Sequence, residues 1–363
     1  MNEEIYNKLA KVLDTLPSGF PQTEKGEEIK LLKKLFTPEE AALFCDLKLS
    51  FETVKEISRR TGRPLEGLEE LLTRMWRKGH LRGKESGKQK TFKMAPWIIG
   101  IWEYQVHTTD KEFAEINRKY APKFAEQFFT KNPPVIQVLP VEQTIEPEGE
   151  VMPYEKVSTV IENGKSFMVV DCVCRKERQL QGRGCDHPLD ICLHVSDDPD
   201  EFNERHAWKG RVINQQEAYE VIRRAEEVGL VHNTSNIQKG HYFICNCCGC
   251  SCGSLILLKL GLIPASQLVN AHYYAQIDPD LCTGCGICAD ERCQVAAIQE
   301  KNDLYSVRRE QCIGCGLCIS TCPTEAIRLI RKPDEEQVIP PEDEAEWNEQ
   351  RAADRGVDYS QYK

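Results

Sequence analysis

Long apolar runs and export signals are missing from this 363-residue sequence. The first residues, MNEEIYNKLAKVLD, hold neither the basic nor the apolar region that opens a signal peptide. The most apolar stretch, residues 254–269, is interrupted by Lys259 and Pro264 and is too short to span a bilayer. We therefore expect a cytoplasmic protein without a membrane span, whose thiols stay reduced.

The sequence also lacks an excess of positive charge and the usual motifs for organic cofactors. Its net charge of −10 disfavours nonspecific nucleic-acid binding by the chain as a whole. No G-x-G-x-x-G motif follows a strand pattern and no G-x-x-x-x-G-K-[ST] loop is present, so flavin, nicotinamide and ATP sites are unsupported. A C-x3-C-x2-C run is absent as well, because Leu255 stands where its third cysteine would be. We predict no catalytic residues.

Cysteine, in contrast, is abundant and unevenly distributed. Cys45 stands alone, whereas the other 17 of the 18 cysteines lie between Cys172 and Cys322. In a reducing compartment such clustering indicates metal binding rather than disulfides.

Eight cysteines near the C-terminus form two similar segments. Each contains C-x2-C-x2-C and a fourth cysteine, after four residues in the first segment and three in the second. Three thiolates at these steps can bind three irons of one cubane, and the fourth ligand comes from the other segment. We predict one [4Fe–4S] cluster on Cys282, Cys285, Cys288 and Cys322, and a second on Cys312, Cys315, Cys318 and Cys293. Glycines allow the chain to curl and bring backbone N–H groups towards the sulfurs, so the predicted cofactor-binding residues include Gly284, Gly286, Gly314 and Gly316.

These two segments resemble the bacterial two-[4Fe–4S] ferredoxins over residues 276–332. The sequence departs from that pattern in the four-residue gap before Cys293 and in Gln294, where proline is usual. Both departures are expected to shift the potential of the cluster that Cys293 serves. A pair of zinc sites is the alternative, but zinc sites typically use C-x2-C pairs and do not require a third cysteine at the same spacing.

Nine further cysteines lie in the middle of the chain, in a C-x-C-R segment, at two single positions and in the run CNCCGCSC. With the N-terminal region and the terminal repeat, this pattern resembles a family of multi-cluster 4Fe–4S ferredoxin-like proteins of anaerobic bacteria. The resemblance implies iron–sulfur binding at low potential, and it leaves Cys250 outside the usual pattern as the candidate for an unused thiol. We expect one or two further [4Fe–4S] clusters on Cys172, Cys174, Cys185, Cys192, Cys245, Cys247, Cys248 and Cys252. A structural zinc, or one cluster beside idle thiols, is the alternative.

Charged and imidazole side chains lie near these thiols in the sequence. Arg175, Lys176 and Arg178 could tune the potential of a cluster or simply begin a solvated helix. Several histidines could ligate a metal, although ordinary polar roles are more common; they are His187, His194, His206, His232, His241 and His272.

We predict an α+β, multi-domain fold. Residues 1–130 form a helical, winged-helix-like domain, residues 131–153 a Pro- and Glu-rich linker, residues 154–275 a cysteine-rich α/β domain, and residues 276–332 a ferredoxin-like two-[4Fe–4S] domain. Residues 333–363 form an acidic tail, which we expect to be solvated and disordered or draped on a partner.

Residues 36–96 indicate three helices and a hairpin, in an order that resembles a winged helix-turn-helix domain. Residues 52–93 hold 12 basic and 6 acidic residues, a balance that suits DNA. The start of the third helix is acidic, however, and would repel phosphates. We therefore favour protein docking or dimerisation by this domain, with nucleic acid as the less favoured partner. The predicted wing carries Arg82, Lys84, Lys88, Lys90 and Lys93.

The sequence thus predicts an electron-transfer protein that relays single low-potential electrons between a donor protein and an oxidoreductase acceptor. A redox-sensing DNA-binding regulator and an electron-transfer subunit of an oxidoreductase complex are the alternatives. An enzyme subunit whose middle cluster binds a substrate is a third.

Overall fold

The computed structural model describes residues 2–87, 89–145, 152–203 and 210–363. Lys88 and His206, both named above as candidates, lie outside these ranges. The described chain mixes helices and strands, with a largely helical N-terminal part, a sheet in the middle and small β-ribbons near the C-terminus. Among the described helices, none is both long enough and apolar enough to cross a membrane.

Helices of the N-terminal part begin at capping residues that the sequence places there. Thr37 accepts a hydrogen bond from Glu40 N (3.2 Å), and Thr37 N donates to the Glu40 carboxylate (2.9 Å). Thr53 and Glu56 repeat this capping box one helix later. The helices are α1 (Asn2–Thr15), α2 (Glu27–Leu35), α3 (Pro38–Phe44), α4 (Val54–Thr61), α5 (Leu68–Arg77) and α6 (Lys111–Phe128).

A small antiparallel sheet completes this part, with strands β1 (Glu52–Thr53), β2 (Leu81–Ser86) and β3 (Gln89–Met94) in the order β1–β3–β2. The predicted third helix and hairpin are present as α5 and β2–β3. The name winged helix remains a prediction, since element order alone does not establish a family.

The described middle of the chain contains a seven-stranded sheet in the order β10–β4–β8–β9–β6–β5–β7. Only the β10–β4 pair is parallel in this sheet. Helices α7 (Val157–Asn163) and α9 (Gln215–Glu227) pack on one face through Val160, Val221 and Leu193. Further helices are α8 (Val173–Leu180), α10 (Gly253–Lys259) and α11 (Ala265–Leu268). The strands are β4 (Ile136–Leu139), β5 (Ser166–Asp171), β6 (Asp190–Ser196), β7 (Arg211–Ile213), β8 (Val231–Ser235), β9 (Phe243–Cys247) and β10 (Val269–Asn270).

The predicted linker differs from the structure, because it contains β4. Ile136 to Leu139 pair with β8 in register Ile136↔Ser235, and Gln137 is buried. The flanking prolines lie outside the paired residues, so they do not interrupt the hydrogen-bond ladder. The high proline content therefore made this segment resemble a linker, although it contains a short strand.

The ferredoxin-like part is built from two antiparallel ribbons. Strand β11 (Tyr273–Ile277) pairs with β14 (Ile327–Arg331), and β12 (Ile298–Lys301) pairs with β13 (Leu304–Val307). Ala296 and Glu325 occupy equivalent positions of the two segments, three residues after the fourth cysteine, and both have positive φ (54° and 53°). The sequence repeat is therefore also a repeat of backbone conformation.

The acidic tail was expected to be disordered or draped on a partner, whereas the structure shows a helix packed on the N-terminal part of the same chain. Residues Glu344–Arg355 form α12, and the fully buried Arg351 donates hydrogen bonds to the carbonyls of Phe128, Lys131 and Pro133. Ala352, Tyr359 and Tyr362 join the core of the N-terminal part. Net acidity misled the prediction, because most of the acidic side chains lie on the exposed face of the helix.

Candidate metal centres

The first predicted ligand set surrounds one small cavity in the ferredoxin-like part. Cys282, Cys285, Cys288 and Cys322 all line it, together with the apolar side chains of Ile277, Ile287 and Ile327. Burial acts to raise the pKa of Cys322, but backbone N–H groups of Thr324 and Ala326 outweigh it and lower that pKa. Cys285 is exposed, so this cavity lies close to the protein surface.

The second predicted set lines a separate and deeper cavity. Its walls include Cys293, Cys312, Cys315 and Cys318. Ala297 N donates to Cys293 Sγ (3.1 Å), and Ala275 N donates to Cys312 Sγ (3.3 Å). Burial raises the pKa of Cys315 to about 12, so a thiolate there needs the positive charge of a metal.

The four predicted glycines all have positive φ, between 60° and 79°. A Cβ on Gly284 would lie 2.3 Å from Asp303 O, and one on Gly314 would lie 2.2 Å from Tyr273 O. Any side chain there would force the cysteine loops away from their supporting strands. Four thiols around each cavity, tight glycine turns and N–H groups directed at sulfur fit a [4Fe–4S] cluster.

The four-residue gap before Cys293 forms a π-helical turn, Cys288–Arg292. A π-helical turn accommodates one extra residue compared with a regular helical turn. It places the buried Arg292 so that its guanidinium donates to Glu226 O (2.8 Å), Glu227 O (3.1 Å) and Leu317 O (3.2 Å). Arg292 thus joins the ferredoxin-like part to the end of α9, a role that the sequence pattern did not reveal.

Six of the middle thiols come together in what we call the six-thiol group. Each interacts with the next along the row Cys172, Cys174, Cys252, Cys247, Cys245 and Cys192. Alternation along β9 directs Cys245 and Cys247 to one face of the sheet. The β6–β9 register, Leu193↔Ile244, brings Cys192 opposite Cys245 on that face.

Helix starts also position this group. Cys172 precedes the first residue of α8, and Cys252 precedes the first residue of α10. The partial positive charge of a helix N-terminus stabilises a thiolate. Hydrogen bonding from Cys174 contributes most to lowering the pKa of Cys252, and the N–H groups of Ser254 and Leu255 add to it.

The remaining three middle thiols form a second assembly, the Cys3His group, with the imidazole of His187. Ligand atoms of Cys185, His187, Cys248 and Cys250 all lie within 4.8 Å of one another. The predicted eight-thiol set is therefore divided, because Cys185 and Cys248 lie apart from the other six. Cys250, expected to be unused, belongs to this second group, since the turn after β9 carries it round to Cys185.

Arg175 lies between the two middle groups and is almost fully buried. Its guanidinium donates to Pro188 O (2.9 Å) and Asn246 O (2.8 Å), while its Nε has no hydrogen-bond partner among the described residues. Burial acts to lower the pKa of Arg175, but the thiols of Cys172 and Cys248 raise it. A buried cation held this way can compensate the negative charge of metal–thiolate sites.

The other described histidines have different surroundings. His194 is the only one of them that approaches the six-thiol group, where it lowers the pKa of Cys192 after the larger effect of Cys245. His232 is hydrogen-bonded to Asn246 (2.6 Å), and His272 contacts Glu155 (2.5 Å). These contacts are the ordinary polar roles expected for most of them.

A large cavity separates the six-thiol group from α6. It measures about 490 Å³, whereas each ferredoxin cavity measures about 20 Å³. Thiols form one wall, and the aromatic rings of Trp97, Trp102, Tyr120, Phe124 and Phe128 form another. Burial raises the pKa of two carboxyl groups in its lining, Glu103 to about 8 and Glu177 to about 7.

The deeper ferredoxin set and the six-thiol group share one apolar core. Cys247 and Cys252 are buried in it with Val295 and Leu317, and ligand candidates of both groups pack against it. The turn after β9 contacts the ferredoxin-like part directly, since Gly249 N donates to Gln294 Oε1 (2.8 Å). A Cβ on Gly249 would lie only 2.0 Å from Gln294 O, so the two segments are in close contact.

Comparison with known proteins identifies one part of the chain. Residues 275–329 match the family model of the 4Fe-4S dicluster domain. No curated protein and no solved structure matches the chain. The matched residues include all eight ferredoxin cysteines. This chain therefore carries a ferredoxin-like domain that binds [4Fe–4S] clusters and has an iron–sulfur electron-transfer role.

Proposed function

We propose that the protein relays single electrons between two redox partner proteins along a row of metal centres. The two ferredoxin thiol sets would hold two [4Fe–4S] clusters, and the six-thiol group would hold a further iron–sulfur cluster. A [4Fe–4S] cluster exchanges one electron at a potential that its protein surroundings set. By resemblance, the partners would be a low-potential donor and an oxidoreductase of an anaerobic cytoplasm.

The observation that carries this proposal is the shared apolar core between the deeper ferredoxin set and the six-thiol group. Buried Val295 and Leu317 exclude water between the two ligand sets. At the other end, Cys285 is exposed, and so is Leu281, which precedes Cys282 in sequence. A partner can therefore approach the outer set, while the inner set faces the middle of the protein.

Iron and sulfide analysis of anaerobically purified protein tests the proposal. We expect about twelve irons per chain, with Cys247→Ser and Cys318→Ser each removing about four. Cys45→Ser is the matched control, because Cys45 is buried far from the other thiols in sequence and should leave iron unchanged. Eight irons that are insensitive to Cys247→Ser would contradict a middle cluster.

The N-terminal part is better suited to docking proteins than to binding DNA. Arg82 and Lys93 of the predicted wing both contact Glu344 of α12 (3.0 Å each), and Lys90 contacts Glu69 (3.2 Å). These cations are therefore already paired within the chain. This chain is expected to show no salt-dependent DNA binding, and nanomolar binding that weakens with salt would favour the regulator instead.

The large cavity supports a second candidate function, an oxidoreductase whose middle cluster faces a bound substrate. Its size exceeds that of the four-thiol ferredoxin cavities and falls in the range of small-molecule sites. The aromatic wall favours an apolar molecule, and Asn117 and Arg178 offer polar contacts.

Electron paramagnetic resonance on the reduced protein can test this second function. A molecule bound beside the thiols should shift the signal of the middle cluster and leave the ferredoxin signals unchanged. Phe124→Trp should abolish the shift, because the larger ring occupies the aromatic side of the cavity. Signals that do not respond to any apolar organic acid or ketone would leave the protein as an electron carrier.

A further inference from the structure

The Cys3His group has the dimensions of a site for one ion. Cys185 Sγ lies 3.9 Å from Cys248 Sγ, and Cys250 Sγ lies 3.6 Å from His187 Nδ1. Donors around a single tetrahedral ion, with metal–sulfur bonds of about 2.3 Å, are about 3.8 Å apart. The observed separations therefore match four ligands of one central ion.

The ferredoxin thiols of the same chain provide an internal comparison. The structure describes all eight, and no three of them lie within 4.8 Å of one another, as the Cys3His ligands do. Each thiolate of a cubane binds a different iron, so its thiolates stand further apart than the ligands of one ion. Among the described residues, no three thiols of the six-thiol group lie within 4.8 Å of one another either. The Cys3His group is thus more closely packed than the two ferredoxin sets and the six-thiol group.

We propose that Cys185, His187, Cys248 and Cys250 bind one tetrahedral zinc ion, separate from the iron–sulfur sites. Three thiolates and one imidazole are a common zinc ligand set, and four protein ligands leave no open position for a substrate. Ser251 Oγ, 3.3 Å from Cys185 Sγ, can donate an outer hydrogen bond that orients this ligand. The site is therefore structural.

The ion would join two distant segments of the chain. Cys185 and His187 lie in the loop between α8 and β6, while Cys248 and Cys250 lie in the turn after β9. The same turn leads to Cys252, so the zinc would hold one side of the six-thiol group in place. This inference does not rest on the proposed electron relay, since zinc has no redox chemistry.

Zinc, iron and sulfide per chain, with zinc-edge X-ray absorption on the anaerobically purified full chain, test the site. We expect about one zinc, with about three sulfur ligands at about 2.3 Å and one nitrogen at about 2.0 Å. Cys250→Ser should reduce zinc at least about fivefold, because a neutral hydroxyl replaces a thiolate ligand. Cys250→His should retain it, since imidazole also binds zinc.

Cys45→Ser is the control for loss of a thiol outside the site and should keep the full zinc content. Zinc that persists in Cys250→Ser, or a spectrum with four sulfur ligands, would overturn the assignment. A chain without zinc that loses about four irons in Cys250→Ser would overturn it too, and would instead make these residues ligands of a cluster. In that case the electron relay would still stand, because its ferredoxin thiols are unaffected.

Discussion

Arg175 shows how a single buried charge can act on two thiol groups at once. It is held by the carbonyls of Pro188 and Asn246, so its guanidinium cannot turn away from the thiols of Cys172 and Cys248. The sequence left open whether this arginine tunes a cluster or begins a solvated helix. Its burial favours the tuning role.

Arg175→Met should lower the reduction potential of the proposed middle cluster. A full charge about 6 Å away contributes about 3 kcal/mol at an effective dielectric constant of about 20, equal to roughly 120 mV for one electron. Partial screening should leave a shift of roughly 50 mV or more. Potentiometric titration followed by paramagnetic resonance measures it. Lys176→Met, on the same helix but less buried, is the control, and equal shifts in both variants would contradict this role.

Glu177 should make the stability of the protein depend on pH. Burial raises its pKa from 4.5 to about 7, against the hydrogen bonds from Trp102 and Asn117 that act to lower it. The folded chain therefore keeps a proton that the unfolded chain has released. The stabilisation from this proton is complete below about pH 4.5 and is lost as the pH rises through about 7.

Glu177→Gln should remove this contribution to the pH dependence, because an amide does not ionise, while the contribution of Glu103 remains. We expect the unfolding temperature of the unchanged protein to fall between about pH 5.5 and about pH 8, and that of the variant to change less over the same interval. Anaerobic thermal unfolding followed by tryptophan fluorescence is the measurement. The exposed Glu220→Gln serves as control, and an identical pH response in Glu177→Gln would sink the assignment.

At the scale of elements, α12 is a tail that has become part of the N-terminal core. Its acidic residues made it resemble a solvated segment, yet Arg351 is fully buried against carbonyls at the end of α6 and just after it. Glu344 of the same helix pairs with Arg82 and Lys93. Those two cations act, against the effect of burial, to lower the pKa of Glu344 to about 2.

Arg351→Leu should destabilise the N-terminal part by at least about 2 kcal/mol, because buried carbonyls lose their donors. Urea unfolding monitored by tryptophan fluorescence would show an earlier first transition, since Trp347 and Trp97 both lie in this part. Gln350→Leu, one residue earlier and exposed, should leave that transition in place. Equal midpoints for the two variants would mean that the helix adds no stability.

At the scale of the whole molecule, the arrangement of the thiol groups depends on contacts between parts that are distant in sequence. Arg292 links the ferredoxin-like part to α9, and Gly249 packs against Gln294 without space for a side chain. Both contacts lie beside the apolar core that the inner ferredoxin set shares with the six-thiol group. They set the spacing between those two groups.

Arg292→Leu should weaken communication between the metal groups without removing the metals. We expect unchanged iron content but weaker magnetic interaction between reduced centres, and at least about tenfold slower electron equilibration after flash reduction, because loss of the three carbonyl contacts loosens the spacing. Arg309→Leu removes an exposed pair with Glu336 in the same part of the chain and is the control. Wild-type coupling in Arg292→Leu would show that the spacing is held elsewhere.

The eight ferredoxin cysteines show how far a sequence alone can lead. Their spacing predicted two ligand sets, each set surrounds its own cavity, and the dicluster family match covers the same residues. Local physics suffices there, because three cysteines at x2 steps and their glycines form the site within a few residues. Helix starts are local in the same way, because Thr37 and Asn214 are residue types that favour N-caps and each forms a capping box with the glutamate three residues later.

What the sequence by itself determined is therefore the local chemistry: the ferredoxin loops, the helix starts and the abundance of thiols in the middle of the chain. Only the tertiary structure decided how the nine middle thiols divide. Cys247 and Cys248 are adjacent in sequence but belong to different groups. Cys247 is the last residue of β9 and lies with Cys245 on one face of the sheet, whereas Cys248 begins the turn that follows β9. Strand register, helix placement and the long-range contacts of Arg175 and Arg292 set that division, and these depend on residues far apart in the chain.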